Sequence, residues 1–442
     1  MDGSSWKCRS VFFFAFALIA GVRLGALWLG RESLGLDPDA YRSLAATWRE
    51  TGTYGRIDEA GTAVPTAYRP PLYPWLLSWS PAKPGDDADR WWIVGLHGIL
   101  GLATCIVTYA IGKRLEMSSM ACWLAAIWVA CDPVLLRQST LIMTETLATF
   151  IGALLWWWWL RDEQGIRDRW DGRSLFLGIG MGLAVLCRPT ALAWIGLWWF
   201  WVLTKKRWRW VIGCALGMGI AIAPWAFRNA IQFGRPIATT THGGYTLYLG
   251  NNPILYRHWQ MSASREWDED AFHEQWRGER SQSMNQDEIA LDRLAQTLAG
   301  ATIQGNPGGF LRGCVIRIGW LWALWPSTRQ ATWSAQLSIA VWYGILFFSA
   351  IAGFMQLVRS RKPLHGWLPG LLLVTSLTLV HSVYWSNMRM RAPAMPIVGL
   401  LAGLGAARRI QRESLLRTRN GADCSLSSDT WSMADTSVRH SA

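Results

Sequence analysis

Three acidic residues stand where a membrane-borne reaction could use them. Asp37 and Asp39 lie in the run Asp37-Pro38-Asp39-Ala40-Tyr41, and Glu145 lies in Met143-Thr144-Glu145-Thr146, inside an otherwise apolar stretch. A carboxylate at the bilayer surface can take a proton from a hydroxyl or amine, the work of a general base. Asp37 also reads as a helix N-cap, with Pro38 at the first helical position and Asp39 in the first turn, a role that accounts for an Asp without any chemistry. Tyr41, Leu44, Ala45 and Trp48 follow at helical spacing, so an amphipathic helix is expected on the membrane, ended by Gly52. Glu145 is costly within a membrane and is expected to face the bundle interior and a polar cavity.

Cationic and turn-forming residues recur beside these carboxylates. In Tyr68-Arg69-Pro70-Pro71-Leu72-Tyr73-Pro74 the prolines forbid a helix start before Pro74 and present Arg69 on a stiff extended arm. Arg188-Pro189 breaks the apolar stretch 174–203 into a hairpin. Each arm has about 14 residues, roughly 21 Å of helix against a hydrocarbon core of about 30 Å. The tip therefore dips into the outer leaflet, where Arg188 either meets an anion such as a lipid phosphate or snorkels to the interface. Pro224-Trp225-Ala226-Phe227-Arg228-Asn229, His242-Gly243-Gly244-Tyr245 and Gly250-Asn251-Asn252-Pro253 supply tight turns and backbone approach to a ligand. His242 has no partner at ligand spacing, so no metal is expected there. There is no Walker loop, dinucleotide fingerprint or serine elbow, and no cofactor is expected.

The elements that must position these groups are long apolar helices. Of 442 residues, 51% are hydrophobic and only 17% charged, against a soluble average of about a quarter. The 32 tryptophans, including 156–159, suit membrane interfaces. The net charge of +13 lies mostly in short clusters flanking apolar runs, a topogenic pattern, with anionic lipid and nucleic acid as the lesser readings, so no nucleic-acid partner is expected. Eight cysteines with no C-x-x-C pair read as small core residues. Ten spans are expected, at 11–29, 91–111, 120–136, 141–160, 174–187, 190–203, 210–227, 334–357, 368–383 and 392–407. The first reads as a retained span, not a cleaved signal. With cytosolic termini, ten spans put every basic loop in the cytosol and place the stretches 30–90 and 228–333 outside. By the same parity the segment 309–326, with Arg312 and Arg317, is an amphipathic or re-entrant helix on the outer face. A Ser-rich tail within 409–442 reads as cytosolic and disordered.

The landmarks occur in a telling order: D-P-D-A-Y, R-P-P-L-Y-P, M-T-E-T, C-R-P-T-A, P-W-A-F-R-N, H-G-G-Y-T-L-Y-L-G-N-N-P and R-M-R-A-P-A-M-P. This order resembles the GT-C superfamily, specifically glycosyltransferase family 39 and its bacterial branch of aminoarabinose and rhizobial galacturonosyl transferases. The resemblance covers roughly residues 11–407. It implies an all-α polytopic membrane protein, a GT-C bundle of about ten spans with amphipathic helices on the outer face. It implies inverting transfer of a sugar from a polyprenyl-phosphate donor to a lipid, glycan or protein acceptor at the outer face of the inner membrane. The family's first-loop acid stands four positions before the Tyr, which is Asp37; Asp39 is the alternative, because Pro38 separates two aspartates here. Glu145 matches the second carboxylate. Arg69, Arg188, Arg228, Arg389 and Arg391 stand where such proteins bind donor phosphate, and Tyr41, Asn229 and His242 join them as substrate-binding candidates. Among rivals, a lipid-linked ligase or polymerase would share the topology. A transporter would call for inverted repeats, and none is evident.

Overall fold

The structure, a computed structural model, describes residues 3–162, 172–261, 269–282, 287–326, 331–360 and 363–410. The expected tail and part of the 161–173 basic loop lie outside these residues. In chain order α1 (Gly3–Gly30) passes through a 3-10 turn (Arg31–Gly35) to α2 (Tyr41–Thr51), a hairpin of β1 (Gly55–Ile57) and β2 (Ala63–Pro65), and α3 (Leu72–Leu77). Then follow α4 (Asp87–Arg114), α5 (Ser119–Ala130), α6 (Pro133–Ser139), α7 (Glu145–Asp162), α8 (Gly172–Cys187), α9 (Ala191–Thr204) and α10 (Trp208–Phe233). A second run of elements between the spans comprises α11 (Gly243–Gly250), α12 (Pro253–Met261), α13 (Glu269–Ser281), α14 (Glu288–Gly305) and α15 (Pro307–Leu321). The chain returns through α16 (Trp333–Arg359) and α17 (Leu368–Val383), and a 3-10 turn (Met388–Ala394) leads into α18, residues 395–410.

Helices occupy each of the ten expected segments. Five described helices are individually long and apolar enough to cross a membrane, and a sixth if α5 and α6, bent by 51° at Cys131–Asp132, form one span. Helices α8, α9 and α17 are shorter apolar helices. The protein is thus an all-α, multi-pass membrane protein, in which five or six of the described helices qualify as spans by length and composition, against the ten expected. The span Met388–Ile410 is the central one, with 89% of its apolar stretch buried, against 17% for the first span. Close approach builds the bundle: a Cβ added at Gly178 of α8 or at Gly217 of α10 would meet the backbone of the opposite helix. Some tryptophans depart from the interfacial expectation: Trp156, Trp159, Trp194 and Trp198 are core residues, whereas Trp28, Trp79, Trp91, Trp208, Trp325 and Trp333 are exposed. Trp156 and Trp194 donate their indole N–H to the carbonyls of Gly366 and Pro369, each at 2.8 Å, while Trp159 and Trp198 pack edge to face.

Two local expectations are corrected. Helix α2 starts at Tyr41 with Ala40, not Asp37, at its N-cap, and Ala40 sits in the left-handed region at φ 61°. The Asp-Pro-Asp run forms a turn ahead of the helix instead of its first turn. Helix α3 begins at Leu72, two residues before Pro74. A proline in the first turn is tolerated because its missing N–H would have no intrahelical acceptor. Gly52 ends α2 as expected, at φ 73°. The apolar face of α2 is covered by protein: Tyr41 and Ala45 pack with Tyr73, Leu77 and Ile93. Arg42 pairs with Asp89 of α4 at 3.0 Å, both nearly buried.

The two hydrophilic stretches, 30–90 and 228–333, are docked to each other. Glu288 at the start of α14 accepts from Thr66 Oγ1 at 2.6 Å and from the Ala67 amide at 2.7 Å. The Thr241 amide donates to the Ala67 carbonyl at 3.0 Å.

Candidate active site

The site lies where the turn before α2, the segment after β2, the start of α7, the α8–α9 break and the Met388–Ala394 turn meet. Asp39 is presented by the strained turn at Ala40, a conformation that costs an L-residue about 1–2 kcal/mol. Its Oδ1 accepts from Arg69 Nη2 at 2.7 Å, and its Oδ2 lies 4.0 Å from Arg389 Nη2. Arg389 reaches inward with Nε 3.6 Å from Glu145 Oε1, and Arg188 Nη1 pairs with that same oxygen at 2.8 Å. A chain of alternating charge therefore runs Arg69–Asp39–Arg389–Glu145–Arg188. Three guanidiniums face two carboxylates, leaving a net charge of one positive unit.

Each member is held by local structure. Arg69 lies on the segment leading to Pro70, fixed by the Tyr54 hydroxyl, which donates to the Arg69 carbonyl at 2.9 Å. Its guanidinium sits over the rings of Tyr41 and Tyr68, at 5.6 and 5.0 Å. Arg188, at the break that Pro189 enforces, donates to Thr144 Oγ1 at 3.3 Å and contacts Met390 Sδ at 3.0 Å. Arg389 is aimed by Asn387, whose side chain accepts from the Arg389 amide at 3.1 Å. Glu145, 2% exposed, is the first residue of α7 and faces the interior as expected.

Tyr41 is close enough to feel all of Arg69, Asp39, Arg188 and Glu145. Burial is the largest influence, and it pushes the phenol up to about 12, so Tyr41 remains a hydroxyl donor near pH 7. His242 joins the edge of the site through Tyr68, with ring centroids 4.2 Å apart, and stacks on Tyr245 at 5.1 Å. Burial, then the charges of Arg69 and Arg56, hold its pKa well below the usual histidine range, so the ring is neutral.

Of the residues singled out from the sequence, Asp39, Tyr41, Arg69, Glu145, Arg188 and Arg389 are brought together, with His242 alongside. Asp37 is engaged elsewhere: Oδ1 accepts from the Arg42 amide at 3.2 Å and Oδ2 from the Ser43 amide at 3.0 Å, capping α2 from outside. Arg228 donates to the Thr66 carbonyl at 2.9 Å, to Asn229 Oδ1 at 2.8 Å and to the Tyr54 carbonyl. Asn229 is fully buried and donates to the Ile237 carbonyl at 2.8 Å. This pair pins the two hydrophilic stretches together. Arg391 is also fully buried, 4.1 Å over Tyr343, donating to the carbonyls of Leu321 and Ala323 at 3.0 and 2.7 Å. Thr144, Met143 and Met390 lay inside the sequence motifs but were not singled out, and Tyr68 gave no sign beyond its neighbour Arg69. Among the described residues no group of three or more His, Cys, Asp or Glu stands ready to hold a metal ion.

The family model of Dolichyl-phosphate-mannose-protein mannosyltransferase matches residues 63–232. No curated protein matches the sequence. Among solved structures, the apo oligosaccharyltransferase of Archaeoglobus fulgidus aligns over 93% of this chain and 52% of its own, with TM-score 0.54 and 16% identity. The same protein tethered with an acceptor peptide containing the NVT sequon aligns over 92% of this chain and 50% of its own, with TM-score 0.52 and 16% identity. ArnT from Cupriavidus metallidurans in the apo state aligns over 90% of this chain and 77% of its own, with TM-score 0.41 and 13% identity. The chain spans about half the length of the oligosaccharyltransferase. The fold is similar to that of the Archaeoglobus fulgidus oligosaccharyltransferase.

Proposed function

We propose that this GT-C chain transfers a sugar, with inversion, from a polyprenyl-phosphate donor to a lipid, glycan or protein acceptor at the outer face of the cell membrane. The observation that carries the reading is the alternating Arg–carboxylate chain between the docked outer stretches and the bundle. A phosphate leaving group needs cations that strengthen their hold as charge develops, and Arg69, Arg389 and Arg188 supply them from fixed positions. Asp39 is the proton acceptor. Its oxygens face the arginines and it is 19% exposed, whereas both oxygens of Asp37 are held by backbone amides. The acceptor oxygen or nitrogen attacks the anomeric carbon and gives its proton to Asp39. The bond from that carbon to the phosphate oxygen breaks, and polyprenyl phosphate leaves on the arginines. Glu145 holds Arg188 and Arg389 in register.

In this reading residues 1–408 form one transferase domain whose stretches 30–90 and 228–333 face outward, with cytosolic termini and the 409–442 tail in the cytosol. The docking of Glu288 on Thr66 and Ala67 supports a common face for both stretches. The test is incubation of the purified protein in nanodiscs with a panel of undecaprenyl-phosphate sugars and outer-membrane lipid, glycan and peptide acceptors. Mass spectrometry should find a sugar-shifted acceptor and free undecaprenyl phosphate. Absence of transfer from every donor would sink the assignment.

A further inference from the structure

The inner end of the site holds polar atoms that the charge chain leaves idle. Glu145 offers only Oε1 to Arg188 and Arg389; its Oε2 is buried with no hydrogen-bond partner among the described residues. His381, 4% exposed, lies in the last turn of α17, from which the chain leads through Trp385 to the turn that carries Arg389. Its Nδ1 stands 2.9 Å from the Trp385 carbonyl oxygen, which can only accept. In the neutral ring Nδ1 therefore carries the hydrogen and Nε2 presents a lone pair. That Nε2 is buried and likewise without a partner among the described residues. So is the hydroxyl of Ser386, 1% exposed, which follows Trp385 and precedes Arg389 by three residues. Buried polar atoms are nearly always hydrogen-bonded, so such a set next to a reaction centre calls for an explanation.

We propose that Glu145 Oε2, His381 Nε2 and Ser386 Oγ form the floor that binds the sugar of the donor by accepting hydrogen bonds from its hydroxyl groups. This rests on the lipid-linked donor reading above. Two of the three groups only accept, so they disfavour a phosphate and select a partner rich in O–H donors. The polyprenyl chain has none, and the phosphate belongs to the arginines, so the sugar is the part of the donor that fits. Depth supports the same order. Of the two carboxylates, Asp39 is 19% exposed and Glu145 2%, while Arg389 between them is 30% exposed and Arg188 beside Glu145 15%. An acceptor arriving from outside meets Asp39 first, and the floor touches what lies beyond.

The probes are undecaprenyl phosphate and undecaprenyl-phosphate-linked mannose and glucose, bound to full-length protein in nanodiscs. Wild type should bind at least one sugar-bearing lipid more tightly than the bare lipid. His381→Leu should weaken the sugar-bearing lipid about tenfold, the loss of roughly one buried hydrogen bond, and leave the bare lipid unchanged. His381→Gln keeps an acceptor and should recover part of the difference, which separates lost bonding from misfolding. Equal weakening of bare and sugar-bearing lipid would overturn the floor and make His381 a support for the arginines. No discrimination by wild type, or no effect in any variant, would overturn it too. Wild type that binds neither class of lipid would instead remove the donor reading itself.

Discussion

Asp39 and Asp37 stand two residues apart, and a pair of amide substitutions separates their roles. Asp39→Asn keeps one oxygen to accept from Arg69 Nη2, while Arg69 keeps its places over Tyr41 and Tyr68. The pair is less than one-fifth exposed, so the stability cost should stay within about 1–2 kcal/mol, the range for a hydrogen bond weakened but not orphaned. Transfer should fall by about 10²–10⁴, the usual contribution of a general base, or about 2.7–5.4 kcal/mol in the barrier. Binding of undecaprenyl phosphate should hold or tighten, because the anion that competes for Arg69 and Arg389 has been neutralised. Asp37→Asn should leave single-turnover transfer within about threefold, since Asn caps a helix as well as Asp. Asp37→Ala, which abandons the Arg42 and Ser43 amides, should cost about 0.5–2 kcal/mol of stability. The assay is single-turnover transfer with lipid binding measured in parallel on protein of verified thermal stability. A folded Asp37→Asn protein that transfers nothing, beside an Asp39→Asn protein of near-normal rate, would refute the assignment and return the proton to Asp37.

Two further outcomes follow from the same geometry. Glu145→Gln leaves Arg188 buried without its counter-charge and should destabilise by about 3–5 kcal/mol. Adding Arg188→Met should restore much of the thermal midpoint without restoring transfer, and a double variant no more stable than the single one would show that the pair is not the source. Because burial and the neighbouring cations lower the pKa of His242, its contribution to stability is full above the unfolded value near 6.5 and is lost as pH falls toward the folded value. The melting-temperature advantage of wild type over His242→Gln should therefore shrink between pH 7 and pH 5, and an advantage that does not vary with pH would contradict the neutral, stacked ring.

The long-range pattern of the chain was legible because a bilayer imposes it. Apolar length, basic flanks and the Arg188-Pro189 break located helices at all ten expected segments, and the cost of a buried carboxylate pointed to Glu145. Helix starts were less legible. Asp37, Pro38 and Asp39 satisfy every rule for a first turn, yet the left-handed Ala40 moves the helix start to Tyr41. That placement turns Asp37 into a cap acting from upstream and frees Asp39 for Arg69. Nothing in local propensity chooses between these arrangements; the Arg69 partner 30 residues away does.

The arginines show why residue type and spacing could nominate a site but not fill it. Arg389 and Arg391 look equivalent in Arg389-Met390-Arg391, and both suit a phosphate. The structure places them on a 3-10 turn, where three residues complete one revolution and positions two apart point about 120° from each other. One side chain therefore faces Glu145 and Asp39, and the other must turn into the bundle. Arg391 does so by stacking on Tyr343 and bonding the last carbonyls of the α15 region, a role that fixes the turn and so aims Arg389. Arg228 divides from Arg188 on the same principle. Arg188 follows a helix end beside a carboxylate, whereas Arg228 lies within α10 against the carbonyls of Tyr54 and Thr66. Which arginine meets the substrate is decided by what else lies within reach of its guanidinium, and that is a property of the fold.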